Sequence, residues 1–203
     1  MSTSLNESPI EYARGRGRPR DEVARTRILE AALELLEEVG LGGATTDAIA
    51  ERAGASKATI YRWWPNKAAV FLEALREAVA QELPFPDTGD LREDLHVQLQ
   101  NFVKLLSGRR GRFFKAFIAA AQSDPEVASA FRSVWIQPRR GTAKAVLERH
   151  QQNGRLAKHL DLDLVLDVLY GPFYFRLLAG HGTLTPADAD AIAELAMHGL
   201  SQG

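Results

Sequence analysis

The sequence predicts an all-α protein, and three observations support this fold class. No stretch keeps the alternation of apolar and polar residues that marks a half-buried strand. Apolar residues instead recur every three or four positions, as they do on one face of a helix. Capping residues, glycines and prolines mark where successive helices begin and end. Because 45% of the 203 residues are hydrophobic, the chain can bury a core in one or two domains.

The first helix is predicted to run from Asp21 to Val39. Its apolar residues, beginning at Ile28, form one stripe, and glutamates lie opposite them. Gly40 follows directly and can adopt the left-handed conformation that ends a helix. We therefore expect an amphipathic helix that packs on a core through one face.

The next two helices are short. A threonine cap at Thr45 or Thr46 begins the second helix, which ends at Gly54. Ser56 then caps a third helix that reaches about Trp64, where a proline follows. Two short helices joined by a glycine turn are typical of a helix-turn-helix.

The third helix is predicted to have a buried face and an exposed face. At about 100° per residue, Ile60 and Trp64 point inwards. The outward side chains are Lys57, Ala58, Tyr61 and Arg62, with Thr59 at the edge. Basic side chains reach phosphate or guanine, small side chains fit beside a thymine methyl group, and a tyrosine hydroxyl reaches phosphate. This face therefore suits a DNA groove.

Positive charge supports the same interpretation. The net charge is only −1, so binding to nucleic acid requires local basic patches. Residues 14–20 hold four arginines and no acid, and residues 51–67 hold four basic side chains against one glutamate. Residues 81–203 balance 14 basic against 14 acidic side chains. We predict a flexible basic arm at 1–20, a helix-turn-helix domain at 21–66 and a second helical domain at 67–203.

The segment "TTDAIAERAGASKATIYRWWPNKAAV" resembles the DNA-binding signature of the TetR (tetracycline-repressor) family, and "AALELLEEVG" resembles the helix that precedes it. The resemblance covers residues 28–70. It implies an all-helical homodimer whose third helix enters the major groove of a DNA operator. It also implies that the C-terminal helices hold a pocket for a small-molecule effector.

The resemblance assigns roles to single residues. It implies that Thr46, Tyr61 and Lys67 contact the DNA backbone and that Lys57, Ala58 and Thr59 face bases. Trp63 departs from the pattern, because the family often has histidine there. We include Trp63 and Arg62 among the candidate DNA contacts.

The basic arm contains "RGRGRPR", which resembles the core of an AT-hook. Glycine and proline favour an extended strand here, and Arg16 and Arg18 would enter the narrow minor groove of an A/T tract. The alternative is a disordered tail that adds only nonspecific attraction.

The C-terminal half is predicted to consist of further helices. One runs from Lys67 to about Glu82, and others cover 90–107, 112–122 and 125–152, the last of them interrupted near Pro138. The next helix, within "LDLVLDVLYGPFYFRLLAG", is apolar nearly all round, so both of its sides must be covered. The final helix starts at Thr185 and Pro186, a cap followed by proline.

The last two helices fit a four-helix interface between two copies of the chain. We expect this interface to use Leu162, Val165, Leu169, Ile192, Ala196 and Gly199. The alternative is an ordinary monomer core.

The interior of this half is rich in aromatic residues, which can line an apolar ligand pocket or simply pack. Our candidates for effector contacts are His96, Phe102, Phe117, Trp135, Tyr170, Phe173 and Tyr174. The predicted effector is a small apolar or aromatic molecule.

Composition leaves few other kinds of site. The absence of cysteine removes disulfides, thiolate zinc sites and cysteine nucleophiles. The histidines lack metal-site spacing, and no phosphate loop or nucleophile motif occurs, so we expect no metal, cofactor or catalytic residue. No apolar run of 18 residues and no signal peptide are present, so we expect a cytoplasmic protein without a membrane partner.

Two rival functions remain open. A helical enzyme or carrier could use the same pocket, although no catalytic motif supports it. An architectural protein could bend DNA through the arm alone, and a sharp palindromic footprint would separate a helix-turn-helix regulator from it.

Overall fold

The computed structural model describes residues 18–80 and 82–200, and every regular element in these ranges is helical. The N-terminal elements are α1 (Arg18–Gly43), α2 (Thr46–Ala53), α3 (Lys57–Trp63) and α4 (Lys67–Val79). The C-terminal elements are α5 (Leu91–Ser107), α6 (Gly111–Ala121), α7 (Pro125–Ala130), a π-helical segment (Phe131–Ile136), α8 (Gln137–Gln152), α9 (Leu162–Ala179) and α10 (Pro186–Leu200). The predicted all-α fold is confirmed.

The first helix begins three residues earlier than predicted, at Arg18 rather than Asp21. Pro19 is compatible with this start, because the first turn of a helix needs no backbone donor. The predicted extended strand is therefore wrong from Arg18 onwards, and Arg16 lies outside the described residues. Although α1 extends to Gly43, Gly40 has φ 70° and ψ 178°, so the helical backbone is broken at this residue. The continuous first part of the helix therefore ends at Val39, as predicted.

Side-chain caps begin each of the next three helices. The Thr45 hydroxyl accepts from the Ala48 backbone N–H at 3.1 Å, and the Ser56 hydroxyl accepts from the Thr59 N–H at 3.1 Å. Gly54 ends α2 in the left-handed region, at φ 59° and ψ 39°. These local interactions set the turn between α2 and α3.

The three N-terminal helices pack on one another around a core that includes Ile28, Ile49 and Ile60, and α1 also packs on α4. Trp64 is buried at the end of α3, and its indole N–H donates to Glu73 on α4. Glu73 also accepts from Arg25 on α1. Glu73 thus joins three helices and holds α3 in a defined orientation.

The C-terminal helices match the predicted order with shifted limits. The fourth helix ends at Val79, three residues before the predicted Glu82. The predicted interruption near Pro138 is present, but it is the π-helical segment that precedes this proline, and Pro138 itself lies in the first turn of α8. No helix among residues 18–80 and 82–200 is long and apolar enough to cross a membrane.

A buried polar cluster anchors the loop before α5. Asp94 accepts from the Thr88 N–H and hydroxyl at 2.8 and 2.9 Å, and its other oxygen lies 3.1 Å from His150 Nε2 on α8. Asp87 brings a third potential metal ligand within 4.8 Å, but it also pairs with Arg149. Hydrogen bonds within the chain therefore occupy both oxygens of Asp94, whereas His150 Nδ1 is buried with no partner among the described residues.

Candidate nucleic-acid interface and effector cavity

The third helix presents the two faces that its sequence predicts. Ile60 and Trp64 are buried, which confirms their predicted core positions. The side chains of Lys57, Ala58, Tyr61 and Arg62 are exposed, and Thr59 is half-buried. A short helix held by its inward side chains thus leaves a continuous outward surface.

The exposed face is tied to the start of α2. Lys57 Nζ donates to Asp47 Oδ1 at 2.6 Å, and this hydrogen bond raises the pKa of the lysine. The Tyr61 hydroxyl donates to Thr46 Oγ1 at 3.3 Å. Thr46 on α2 and Tyr61 on α3, both predicted to contact the DNA backbone, are therefore neighbours.

Lys67 lies at the first position of α4, and its Nζ donates to the Ala44 carbonyl at 3.2 Å. This bond brings a positive charge beside the loop that leads into α2. Trp63, at the end of α3, is 36% exposed, and its ring centre lies 6.2 Å from that of Trp64. Trp63 is thus partly packed and partly available at the surface.

A cavity of about 60 Å³ lies in the C-terminal half. Its walls come from α5, the π-helical segment, α8 and α9, and they comprise Phe102, Trp135, Ile136, Arg139, Arg140, Tyr170 and Tyr174. The Phe102 ring centre lies 5.0 Å from that of Tyr170 and 5.5 Å from that of Tyr174, both at steep angles. Four of the predicted effector residues therefore share one aromatic enclosure.

The other three predicted effector residues do not line this cavity. Phe117 and Phe173 are fully buried in the core, where aromatic rings fill space between helices. His96 lies on the outer side of α5, 3.3 Å from Asp190 on α10. Their role as effector contacts therefore stays a prediction that this cavity does not support, because their rings pack or pair elsewhere.

Polar groups at the cavity include two arginines that sequence reasoning missed. Tyr170 accepts a hydrogen bond from Gln98 Nε2 at 2.9 Å, and burial raises the pKa of Tyr170 to about 12. Arg140 is paired with Asp163 and Asp167, whereas Arg139 donates to the Leu83 carbonyl at 3.2 Å. No sequence signal separates these arginines from those of a solvated helix face.

An apolar groove of about 330 Å³ runs along the outer side of α9 and α10. The most exposed of its apolar side chains are Leu164 (62%), Val168 (56%) and Leu195 (73%). Two of the predicted interface residues on α10, Ile192 and Gly199, also line this groove. Ile192 is half-buried and Gly199 is exposed.

Three further members of the predicted interface set, Val165, Leu169 and Ala196, also line this groove, although each is buried within the chain itself. Leu162 is buried too and does not line the groove. These four residues form the inner stripes of α9 and α10, which pack on the protomer core. The opposite side of α9 is also apolar, and its residues Leu164 and Val168 are the exposed ones.

The capped short helices and the outward face of α3 define an N-terminal helix-turn-helix, joined by α4 to a larger helical part. Residues 28–74 match the bacterial regulatory proteins of the tetR family, and residues 85–196 match the tetracyclin repressor-like C-terminal domain. The chain belongs to the TetR family of DNA-binding transcriptional regulators.

Known proteins resemble the chain over most of its length. The HTH-type transcriptional regulator YdeS of Bacillus subtilis is 45% identical over 80% of this chain and 82% of its own length. The DNA-binding transcriptional repressor TetR of Mycobacteroides abscessus is 30% identical over 79% of this chain and 85% of its own. The crystal structure of the TetR family transcription regulator SCO0332 superposes with a TM-score of 0.79, at 34% identity, over 87% of this chain and 98% of that one.

Proposed function

We propose that the chain is a repressor that binds an inverted-repeat operator as a homodimer and leaves it when a small apolar or aromatic effector enters the cavity. The carrying observation is the exposed face of α3, which combines basic, hydroxyl and small side chains on a capped, firmly packed helix. The cavity supports the effector step, because a ligand that favours one of two protein states shifts the balance between them.

The geometry supports distinct roles for the outward residues. Lys57, Ala58 and Thr59 lie in the first turn of α3 and face base edges in this proposal, and Arg62 reaches a guanine or a phosphate. The neighbouring hydroxyls of Thr46 and Tyr61 bind one phosphate together, near the N-terminus of α2. Lys67 adds its charge beside them, and Trp63 borders the same surface.

The proposed dimer buries the apolar groove of α9 and α10 against a second copy. Leu164, Val168 and Leu195 are too exposed and too close together for an isolated protomer in water. Two-fold symmetry would then place the two α3 helices in successive major grooves, about 34–36 Å apart. This arrangement requires an operator with two inverted half-sites.

Selection from random DNA duplexes tests the operator. The full chain should recover an inverted repeat, and Ala58→Glu should recover none, because a carboxylate on the groove face meets phosphates and base acceptors. Ala58 is exposed, so the variant should keep its melting temperature and its oligomeric state. Recovery of single half-sites or of unrelated sequences by the wild-type chain would count against the proposal.

Sedimentation at micromolar concentration tests the dimer. Val168→Glu should give monomers, because it buries an unpaired charge in the interface. Val39→Glu is a matched control, since Val39 is exposed to a similar extent (54%) at the end of α1. If the two variants sediment alike, the groove is not the interface.

A further inference from the structure

Arg139 differs from the other charged groups at the cavity, because no carboxylate within residues 18–80 and 82–200 pairs with it. Its guanidinium donates to the Leu83 carbonyl at 3.2 Å and lies over the Trp135 ring, 5.2 Å from the ring centre. Burial lowers the pKa of this guanidinium. Arg139 is thus a half-buried cation whose neighbours are an aromatic ring and a neutral carbonyl.

Arg140 shows what a compensated arginine looks like in the same wall. It donates to the Asp163 side chain at 3.1 Å and to the Asp163 carbonyl at 2.9 Å, and it also pairs with Asp167. Its charge is therefore balanced by two carboxylates of α9. Arg139 and Arg140 are adjacent on α8, but only the charge of Arg140 is balanced by carboxylates.

A charge that is partly withdrawn from water and has no carboxylate partner is costly, and a guanidinium has five N–H groups in a planar fork that matches a carboxylate. One hydrogen bond to a carbonyl uses only one of these donors. The Tyr170 and Tyr174 hydroxyls line the same cavity, and burial raises the pKa of both, which keeps them protonated and able to donate. An anion at this place would meet a cation together with neutral hydroxyl donors.

We infer that the effector carries a carboxylate on an apolar or aromatic body and that Arg139 binds this carboxylate. The inference rests on the proposed function, since it names the ligand class of the same cavity. The cavity is smaller than the 300–1,000 Å³ that are typical for a drug-sized ligand, so it receives the anionic head. Arg139 also lines an outer groove of about 290 Å³. Arg76 and Glu77 line part of this groove, and its apolar part, formed by Leu83, Pro84 and Phe85, can receive the body.

The position of Leu83 connects this site to the DNA-binding half. Leu83 follows the end of α4, on which α1 packs and whose Glu73 accepts a hydrogen bond from Trp64 at the end of α3. A carboxylate that draws the guanidinium towards itself competes with the Leu83 carbonyl for the same donors. Binding of the anion therefore loosens the segment after α4, which is a route from the cavity to the operator.

Matched probes test the inference. Calorimetry compares naphthalene-2-carboxylate with naphthalene-2-carboxamide, and octanoate with octanamide, for the full-length wild-type chain. Each acid should bind roughly tenfold more tightly than its amide, because only the acid forms a charge pair with the half-buried guanidinium. Arg139→Gln should remove this preference, and Arg139→Lys should keep part of it. Arg132→Gln is the control, because Arg132 is exposed and lies outside the cavity lining.

Equal binding of acids and amides to the wild type would overturn the inference, as would failure of both acids to bind up to about 1 mM. Persistence of the acid preference in Arg139→Gln would overturn it as well. Operator release is measured with the same four probes, and it separates this inference from the proposed function. If amides release the operator and acids do not, the effector-controlled repressor stands and the role of Arg139 falls. If acids bind through Arg139 without releasing the operator, the anion site stands and the effector step of the proposed function falls.

Discussion

The exposed face of α3 and the cavity of the C-terminal half place their candidate functional residues in opposite settings. On α3, Lys57, Ala58 and Tyr61 point into solvent, and the helix is held by other residues on its inner side. In the cavity, Phe102 and Trp135 are themselves buried and form part of the core. Function and stability are therefore separable on α3, whereas in the cavity the same side chains serve both.

Tryptophan substitutions in the two regions should sharpen this contrast most. Trp135→Ala should lower the free energy of unfolding by about 3–5 kcal/mol, because it removes a fully buried ring that packs 4.5 Å from the Phe114 ring centre. Trp63→Ala, which removes a ring that is 36% exposed, should cost about 1 kcal/mol or less. Urea titration at one protein concentration measures both. Equal losses would mean that Trp63 is as structural as Trp135.

Removal of one hydroxyl from each region tests the contrast at a smaller scale. Tyr170→Phe leaves the buried Gln98 amide without its partner and should cost about 1–3 kcal/mol of stability. Tyr61→Phe loses only an exposed bond to Thr46 and should change stability by about 0.5 kcal/mol or less.

Operator binding should show the opposite order to stability, because Tyr61→Phe should affect it and Tyr170→Phe should not. Tyr61→Phe should weaken operator binding at every salt concentration, because one hydrogen bond to phosphate is lost. Its log-log salt slope should stay close to that of the wild type, because a neutral hydroxyl releases no counterion. Tyr170→Phe should leave operator affinity unchanged. A salt titration in which Tyr61→Phe binds as tightly as the wild type would remove Tyr61 from the interface.

Two glycines give the smallest expected effects, and these have opposite signs. Gly54→Ala should destabilise the chain by about 1 kcal/mol, because the turn between α2 and α3 needs φ 59° although the space around it is open. Gly141→Ala should stabilise by about 0.5–1 kcal/mol, because Gly141 lies inside α8 with nothing near its Cβ position. Thermal melts of both variants measure the difference, and a shared sign would contradict the local origin of the turn.

Local interactions explain why the helix-turn-helix could be predicted so fully from the sequence. Thr45 and Ser56 cap helices through N–H groups three residues ahead, and Gly54 acts through its own backbone. The inward positions of Ile60 and Trp64 follow from helical periodicity alone. Each signal acts within one turn of the chain, so no knowledge of distant partners was needed.

Distant partners decide the C-terminal half, and there the sequence was less informative. The cavity joins Phe102, Trp135 and Tyr170, which are separated by more than 30 residues each. Arginine near such a cavity has no local signature, so Arg139 was missed. Because α9 is apolar nearly all round, its sequence likewise could not show which side is exposed. The prediction named the buried Leu169 and omitted the exposed Val168, although both line the groove.

The π-helical segment Phe131–Ile136 makes chain length itself a determinant of this cavity. A π turn holds more residues than an α turn, and such turns are frequent at functional sites. Loss of one residue here would convert a π turn into an α turn, which covers the same rotation with one residue fewer. Arg139 and Arg140 would then keep their place in the cavity wall, whereas Trp135 and Ile136 within the shortened segment would shift. A single-codon deletion could therefore reshape the aromatic side of the cavity and leave its arginines in place.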